Sequence, residues 1–322
     1  MTRQEATTIM TFAAVFPGQG SQSMGMLADL GDKFYQVRET FQEASDALGF
    51  DLWSLTQNGP ENELNSTENT QPAMLAAGVA VWRVWKAQGG CMPQAMAGHS
   101  LGEYTALVCA GAMEFDAAVV LVRERGRLMQ AAVPEGEGAM AAILGLSDAD
   151  VRNVCEQVAQ GEVVQPVNFN SPGQVVIAGS ASAVERAVAA AAEAGAKRAL
   201  KLPVSVPSHC SLMRGAGDQL AERLAGIAIQ APAIPVIHNA DVASFDDPDR
   251  IRDALARQLY SPVRWVETVN RLAADGVADI VEFGPGKVLA GLTKRIDKSI
   301  SAQCVLDASS LESALGLCGE KA

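Results

Sequence analysis

The chain has 322 residues, 48% of them hydrophobic and 19% charged, enough to bury more than one core in a soluble globular protein. A formal charge of −12 argues against a nucleic-acid binder, because phosphate neutralisation needs clustered Lys and Arg, so any acidic partner must use a local basic patch. The six cysteines (91, 109, 155, 210, 304 and 318) form no C-x-x-C pair, and no histidine is spaced to complete a zinc site; reduced thiols and a cytoplasmic location are expected.

Residues 1–9, MTRQEATTI, have no basic leader before an apolar core and read as an N-terminal extension. No run of roughly 18 apolar residues predicts a membrane span. From residue 10 strand-like and helical runs alternate: FAAVF (12–16), a helix over 70–89, a short strand at 94–97 and a helix over 115–133. This is the rhythm of a parallel sheet covered by helices. PEGEG then interrupts it. Over 139–202 the order becomes strand, helix, strand, turn (NSPG), strand, helix, strand, the βαββαβ pattern of a ferredoxin-like unit. The α/β rhythm resumes after PVSVPSH with PVIHN, helices over 248–260 and 261–276, strand DIVEFG, helix KVLAGLTKRI and strand AQCVLD. A large α/β domain (10–133 and 203–322) with a small domain inserted at 134–202 is expected, and the join creates a cleft suited to a substrate.

GHSLGEY (98–104) lies where the short strand meets the next helix and fits G-x-S-x-G, in which two glycines let strand and helix approach while the serine stands on a strained corner. Ser100 is the candidate nucleophile. A hydroxyl needs a base. His99, adjacent to Ser100 in an extended segment, should point to the opposite face. His238, in PVIHNAD, ends a strand and reads as a structural histidine. His209, in VSVPSHCSLM, returns the chain to the large unit and is the preferred base. Neither an acid between Ser and His nor an H-G-G-G loop is evident, so other groups must orient the imidazole and receive the oxyanion.

FPGQGSQ (16–22) follows the first strand and fits neither G-x-G-x-x-G nor a Walker A loop. Gln19 there offers its amide where charge develops, alongside the Leu101 backbone N–H. On the helix over 115–133, Arg125 falls within about 60° of Ala118, Leu121, Val122, Leu128 and Met129, while Arg123 and Arg127 lie opposite. An arginine in an apolar stripe needs a receiver, either an internal carboxylate or an anionic substrate.

Taken in order, FPGQGSQ, GHSLGEY, RERGRLMQ, VNFNSPGQ, VPSHCSLM, RQLYSPVRW and EFGPGKVL resemble the malonyl-CoA:acyl-carrier-protein transacylase family of type II fatty-acid synthesis, from about residue 11 to the C-terminus. The resemblance implies a hydrolase-like large domain and a ferredoxin-like small one. It also implies that Ser100 is acylated, that His209 is the base, and that the Gln258 backbone carbonyl holds the imidazole. Gln19 and the Leu101 amide would form the oxyanion hole, Arg125 would pair with the malonyl carboxylate, and His99 and Asn168 would line the site. His238 receives no role. The substrate is malonyl-CoA, with no metal or redox cofactor, and the partner is an acidic carrier protein. Candidate basic docking residues are Lys197, Arg198 and Lys201 on the small unit and Lys287, Lys294 and Arg295 on the large one. VPSH resembles the malonyl-type rather than the methylmalonyl-type enzymes. A serine esterase or thioesterase, and a silent acyl-binding subunit, are the competing readings. The missing acid and the inward arginine disfavour the first, and the complete Ser, His and Gln set disfavours the second.

Overall fold

The computed structural model describes residues 11–204 and 206–319, so the extension expected at 1–9 lies outside the described residues. The described residues form ten strands: β1 (Phe12–Phe16), β2 (Ala95–Gly98), β3 (Gly138–Leu144), β4 (Val164–Ser171), β5 (Gln174–Ser180), β6 (Arg198–Lys201), β7 (Val236–His238), β8 (Ala243–Ser244), β9 (Asp279–Phe283) and β10 (Ser301–Val305). They make two sheets, ordered β10-β9-β1-β2-β7-β8 and β4-β5-β3-β6.

The larger sheet is parallel except for the hairpin of β7 with β8. Its central strand β1 is apolar at every position because both faces are covered. Phe12, Ala14 and Phe16 join one core, and Ala13 and Val15 join another that includes Trp265 and Ile280. On the first face Trp82 and Trp85 pack edge-on against Phe283, which fixes the long helix Thr67–Ala87 across the sheet. The smaller sheet is antiparallel, and its four strands and two helices follow the expected βαββαβ order. One face of it packs on its own helices around Ile143, Val175 and Ile177. The other carries Met140, Val167, Val176 and Ala178 against Cys210 of the larger unit. Backbone bonds Phe169 N to Val263 O (3.0 Å) and Val263 N to Val167 O (2.8 Å) stitch β4 to the segment after Gln258.

Several details differ from expectation. Helices Ala28–Lys33, Tyr35–Leu48, Leu52–Asn58 and Glu61–Leu64 fill a stretch that sequence periodicity passed over. The turn expected at NSPG is shorter, because Asn170 and Ser171 continue β4 and only Pro172 and Gly173 turn. Cys91 and Cys318, 227 positions apart in the sequence, are paired as a disulfide with Cα atoms 5.4 Å apart, so the expectation of six reduced thiols fails for this pair. Spacing along a chain carries no information about a contact made when the C-terminal helix Ala308–Leu315 folds back. Cys109, Cys155, Cys210 and Cys304 are free. No described helix is long and apolar enough to cross a membrane.

Candidate active site

Ser100 sits on the turn between β2 and the helix Gly102–Cys109, with φ at +53°. A left-handed serine is costly, and such strain is characteristic of a nucleophile held off its strand. The neighbouring glycines make the corner possible. A Cβ at Gly98 would collide with the Gly102 backbone, and one at Gly102 with the Phe16 carbonyl. The parallel register Phe16↔Gly98 sets the FPGQGSQ loop directly beside this turn.

The Ser100 Oγ lies 2.8 Å from His209 Nε2, and His209 Nδ1 lies 2.8 Å from the Gln258 carbonyl oxygen. A carbonyl can only accept, so Nδ1 carries the proton, Nε2 is the acceptor, and the serine hydroxyl donates to it. His209 also adopts positive φ, +66°, with its N–H bonded to Leu259 O at 2.9 Å. Burial, reinforced by the Arg125 charge, lowers its pKa to about 3, so the ring is neutral at physiological pH. The arrangement is a nucleophile and base oriented by a peptide carbonyl in place of a carboxylate.

Arg125, on helix Phe115–Ala131, is 1% exposed, as its place in the apolar stripe requires. No carboxylate receives it among the described residues. Its NH1 donates to Gln71 Oε1 (2.8 Å), and its NH2 donates to Gln258 Oε1 (2.9 Å) and to Ser100 Oγ (3.3 Å). The guanidinium also lies over the Tyr104 ring, 5.3 Å from its centroid, and Nε has no partner among the described residues. Of the two receivers left open by the sequence, the internal salt bridge is not the one formed.

A cavity of about 430 Å³ between the two sheets is lined by Gln19, His99, Ser100, Leu101, Arg125, Asn168 and His209, among others. Gln258 is buried behind the imidazole. His99 lies in the turn past the end of β2, and its Nε2 meets Asn170 Oδ1 at 2.8 Å. Burial lowers its pKa. The buried Asn168 Oδ1 has no partner among the described residues. The Gln19 side-chain amide is turned to Thr67 Oγ1 at 3.3 Å. The backbone N–H groups of Gln19 and Leu101 donate to no other described residue, and both residues line the cavity that holds Ser100.

Sequence reasoning missed the layer beneath. Glu103, fully buried on the elbow helix, accepts from His238 Nδ1 (2.7 Å), Asn239 N (2.9 Å) and Gln258 Nε2 (2.7 Å). Asn239 in turn accepts from Ser100 N (2.7 Å) and donates to Gly98 O (2.6 Å). His238, read from the sequence as a structural histidine with no role in the family resemblance, belongs to this layer, stacked on Phe245 with ring centroids 5.1 Å apart. The signal for Glu103 was present: a carboxylate among apolar residues in GEYTALVC is as conspicuous as Arg125 in its stripe. Of the basic docking candidates, Lys201 pairs with Glu185 (3.1 Å) and Arg295 donates to Gln174 Oε1 (2.9 Å). No group of three or more His, Cys, Asp or Glu side chains among the described residues is arranged to hold a metal.

The acyl transferase domain family matches residues 13–313. The chain is 61% identical, over 95% of its length and 99% of the relative's, to the malonyl CoA-acyl carrier protein transacylase of Escherichia coli K12, and 45% identical to that of Bacillus subtilis, over 94% and 96%. Among solved structures it resembles an acyl carrier protein S-malonyltransferase from Vibrio cholerae (60% identity, TM-score 0.93, 94% and 99% of the two chains). It also resembles a malonyl-transacylase solved with its type II polyketide acyl-carrier protein (59% identity, TM-score 0.94, 95% and 99%).

Proposed function

The chain belongs to the acyl transferase family, within its malonyl-CoA:acyl-carrier-protein transacylases, and from that premise we propose that it moves malonyl from CoA to the phosphopantetheine thiol of a carrier protein through a malonyl-serine ester. The observation that carries this reading is the buried, carboxylate-free Arg125 guanidinium in hydrogen-bond contact with the nucleophile.

In the first half-reaction the Ser100 proton passes to His209 Nε2 as Oγ bonds to the thioester carbon. The carbonyl oxygen becomes an oxyanion facing the backbone N–H groups of Gln19 and Leu101. The role given to the Gln19 amide thus passes to its main chain, since its side chain is held by Thr67. The C–S bond then breaks, the CoA sulfur takes the proton from His209, and malonyl remains on Ser100. The second half runs in reverse: the carrier thiol gives its proton to His209, its sulfur attacks the ester, and Ser100 recovers its proton on leaving. Every proton and electron pair is accounted for by Ser100 and His209, so the transfer calls for no redox group or metal.

Arg125 selects the acyl group. Its contact to Ser100 Oγ is the longest of its three hydrogen bonds, and it is the one a malonyl carboxylate replaces. An acetyl group leaves the buried cation without an anion. His99 and Asn168 complete the walls, and the Asn168 Oδ1 is available to a donor on the substrate. The lobes of this reading are 10–133 with 203–322, and 134–202, with the acyl site between them. A cytoplasmic location suits the two substrates. Lys201 and Arg295 are already engaged, which leaves Lys197 and Arg198 on the small unit and Lys287 and Lys294 on the large one as docking candidates; charge reversal at Lys197 and Arg198 should raise the carrier-protein KM, and an unchanged KM removes that pair.

Intact-protein mass spectrometry after mixing with malonyl-CoA tests the reading. A malonyl-mass adduct absent from Ser100→Ala, discharged faster by carrier protein than by water, is expected. Faster discharge by water would make the chain a thioesterase.

A further inference from the structure

We infer that Glu103 is a positioning residue for acyl selectivity: it fixes which way round the Gln258 carboxamide sits, and thereby presents the Arg125 guanidinium to the malonyl carboxylate. The inference rests on the pairing of Arg125 with malonyl proposed above.

Glu103 is 0% exposed and no Lys or Arg touches it among the described residues. Burying a carboxylate in this way is costly unless its oxygens are fully hydrogen-bonded. Three donors supply those bonds: Oε1 takes His238 Nδ1, and Oε2 takes Asn239 N and Gln258 Nε2. Arg125 is the complementary case, a buried cation with no anion in contact among the described residues. One carboxamide separates the two charges.

The polarity of that carboxamide is dictated by its neighbours. Arginine has donors only, while the Glu103 carboxylate and the Ser100 carbonyl only accept here. Hence Gln258 Oε1 faces Arg125 NH2 at 2.9 Å, and Nε2 divides its two hydrogens between Ser100 O (3.0 Å) and Glu103 Oε2 (2.7 Å). Turning the amide over would set NH2 against the guanidinium and an oxygen against two acceptors. All three contacts would be lost together. His238 and the Asn239 N–H hold the carboxylate from its other sides, so it cannot swing away. The chain Glu103, Gln258, Arg125 therefore carries a fixed dipole from a buried anion to the cation that meets the substrate.

The test compares kcat/KM for malonyl-CoA and acetyl-CoA, with carrier protein as acceptor, in the parent enzyme, Glu103→Gln, Arg125→Ala and the double variant. Glu103→Gln should narrow the malonyl-to-acetyl ratio by roughly ten- to a hundredfold, the size of one hydrogen bond to a charged group. In the Arg125→Ala background it should leave the ratio where Arg125→Ala alone puts it. Equal loss of both acyl groups, an unchanged ratio, or the same narrowing without Arg125 would each overturn the inference. If Arg125→Ala itself preserves the ratio, the pairing with malonyl fails; if it collapses the ratio while Glu103→Gln does not, only the role of Glu103 fails. Should Glu103→Gln not accumulate folded, Glu103→Asp, which keeps the charge but withdraws it by one methylene, is read the same way, and an intact ratio again overturns the inference.

Discussion

The two halves of the site differ in how they are held, although one residue holds both. In the Ser100 and His209 half the Gln258 main-chain carbonyl fixes the imidazole, and the proposed receivers of the oxyanion are the peptide N–H groups of Gln19 and Leu101. The Arg125 half is oriented by side chains, through the carboxamides of Gln71 and Gln258. On the proposed reading, bond-making chemistry rests on groups that any residue supplies, and acyl selectivity on groups that only particular residues supply. Substitutions should therefore separate the two.

The largest effect falls on the first half. His209→Ala should reduce transfer of malonyl and acetyl alike by roughly ten thousandfold or more, since nucleophile and base act as a unit; rapid-quench acylation rates would show it. Arg125→Ala should lower malonyl kcat/KM by about a hundredfold or more and acetyl far less. Parallel losses would erase the distinction between the halves. Gln258→Ala sharpens it further, because the carbonyl that serves His209 remains while the carboxamide that serves Arg125 goes. The malonyl-to-acetyl ratio should narrow about tenfold with the base intact, whereas loss confined to the shared acylation rate would place the side chain in the wrong half.

The smallest effect is one of pH. Burial first, and the Arg125 charge second, depress the His209 pKa from 6.5 to about 3. The folded state then resists a proton that the unfolded chain accepts. The stability this contributes is fully present above pH 6.5 and is lost as pH falls toward 3. Melts across that window should show a shallower decline in His209→Gln than in the parent. The acid limb of kcat/KM due to this base should likewise lie below pH 6.5, and a limb at or above 6.5 would mean that the ring is not desolvated in the working enzyme.

Much of this was legible in the sequence because it is local. Helical periodicity alone turned Arg125 inward, and the paired glycines of GHSLGEY placed Ser100 on its corner. The βαββαβ order emerged from alternating strand and helix patterns. What sequence could not show depends on contacts between distant segments. Arg125 meets Gln258 across 133 positions and Glu103 meets His238 across 135. Gln19 illustrates the same limit at the level of one residue: its place in the loop after β1 was readable, but that its side-chain amide turns to Thr67, 48 residues away, was not. The pairing of Cys91 with Cys318 is invisible for the same reason.

The most direct measurement is a crystal structure of the acyl-enzyme trapped with malonyl-CoA. The account predicts an ester at Ser100 Oγ, with the free carboxylate of malonyl within about 3 Å of the Arg125 guanidinium nitrogens. An ester whose carboxylate points to solvent, with Arg125 still bonded only to its glutamines, would contradict it.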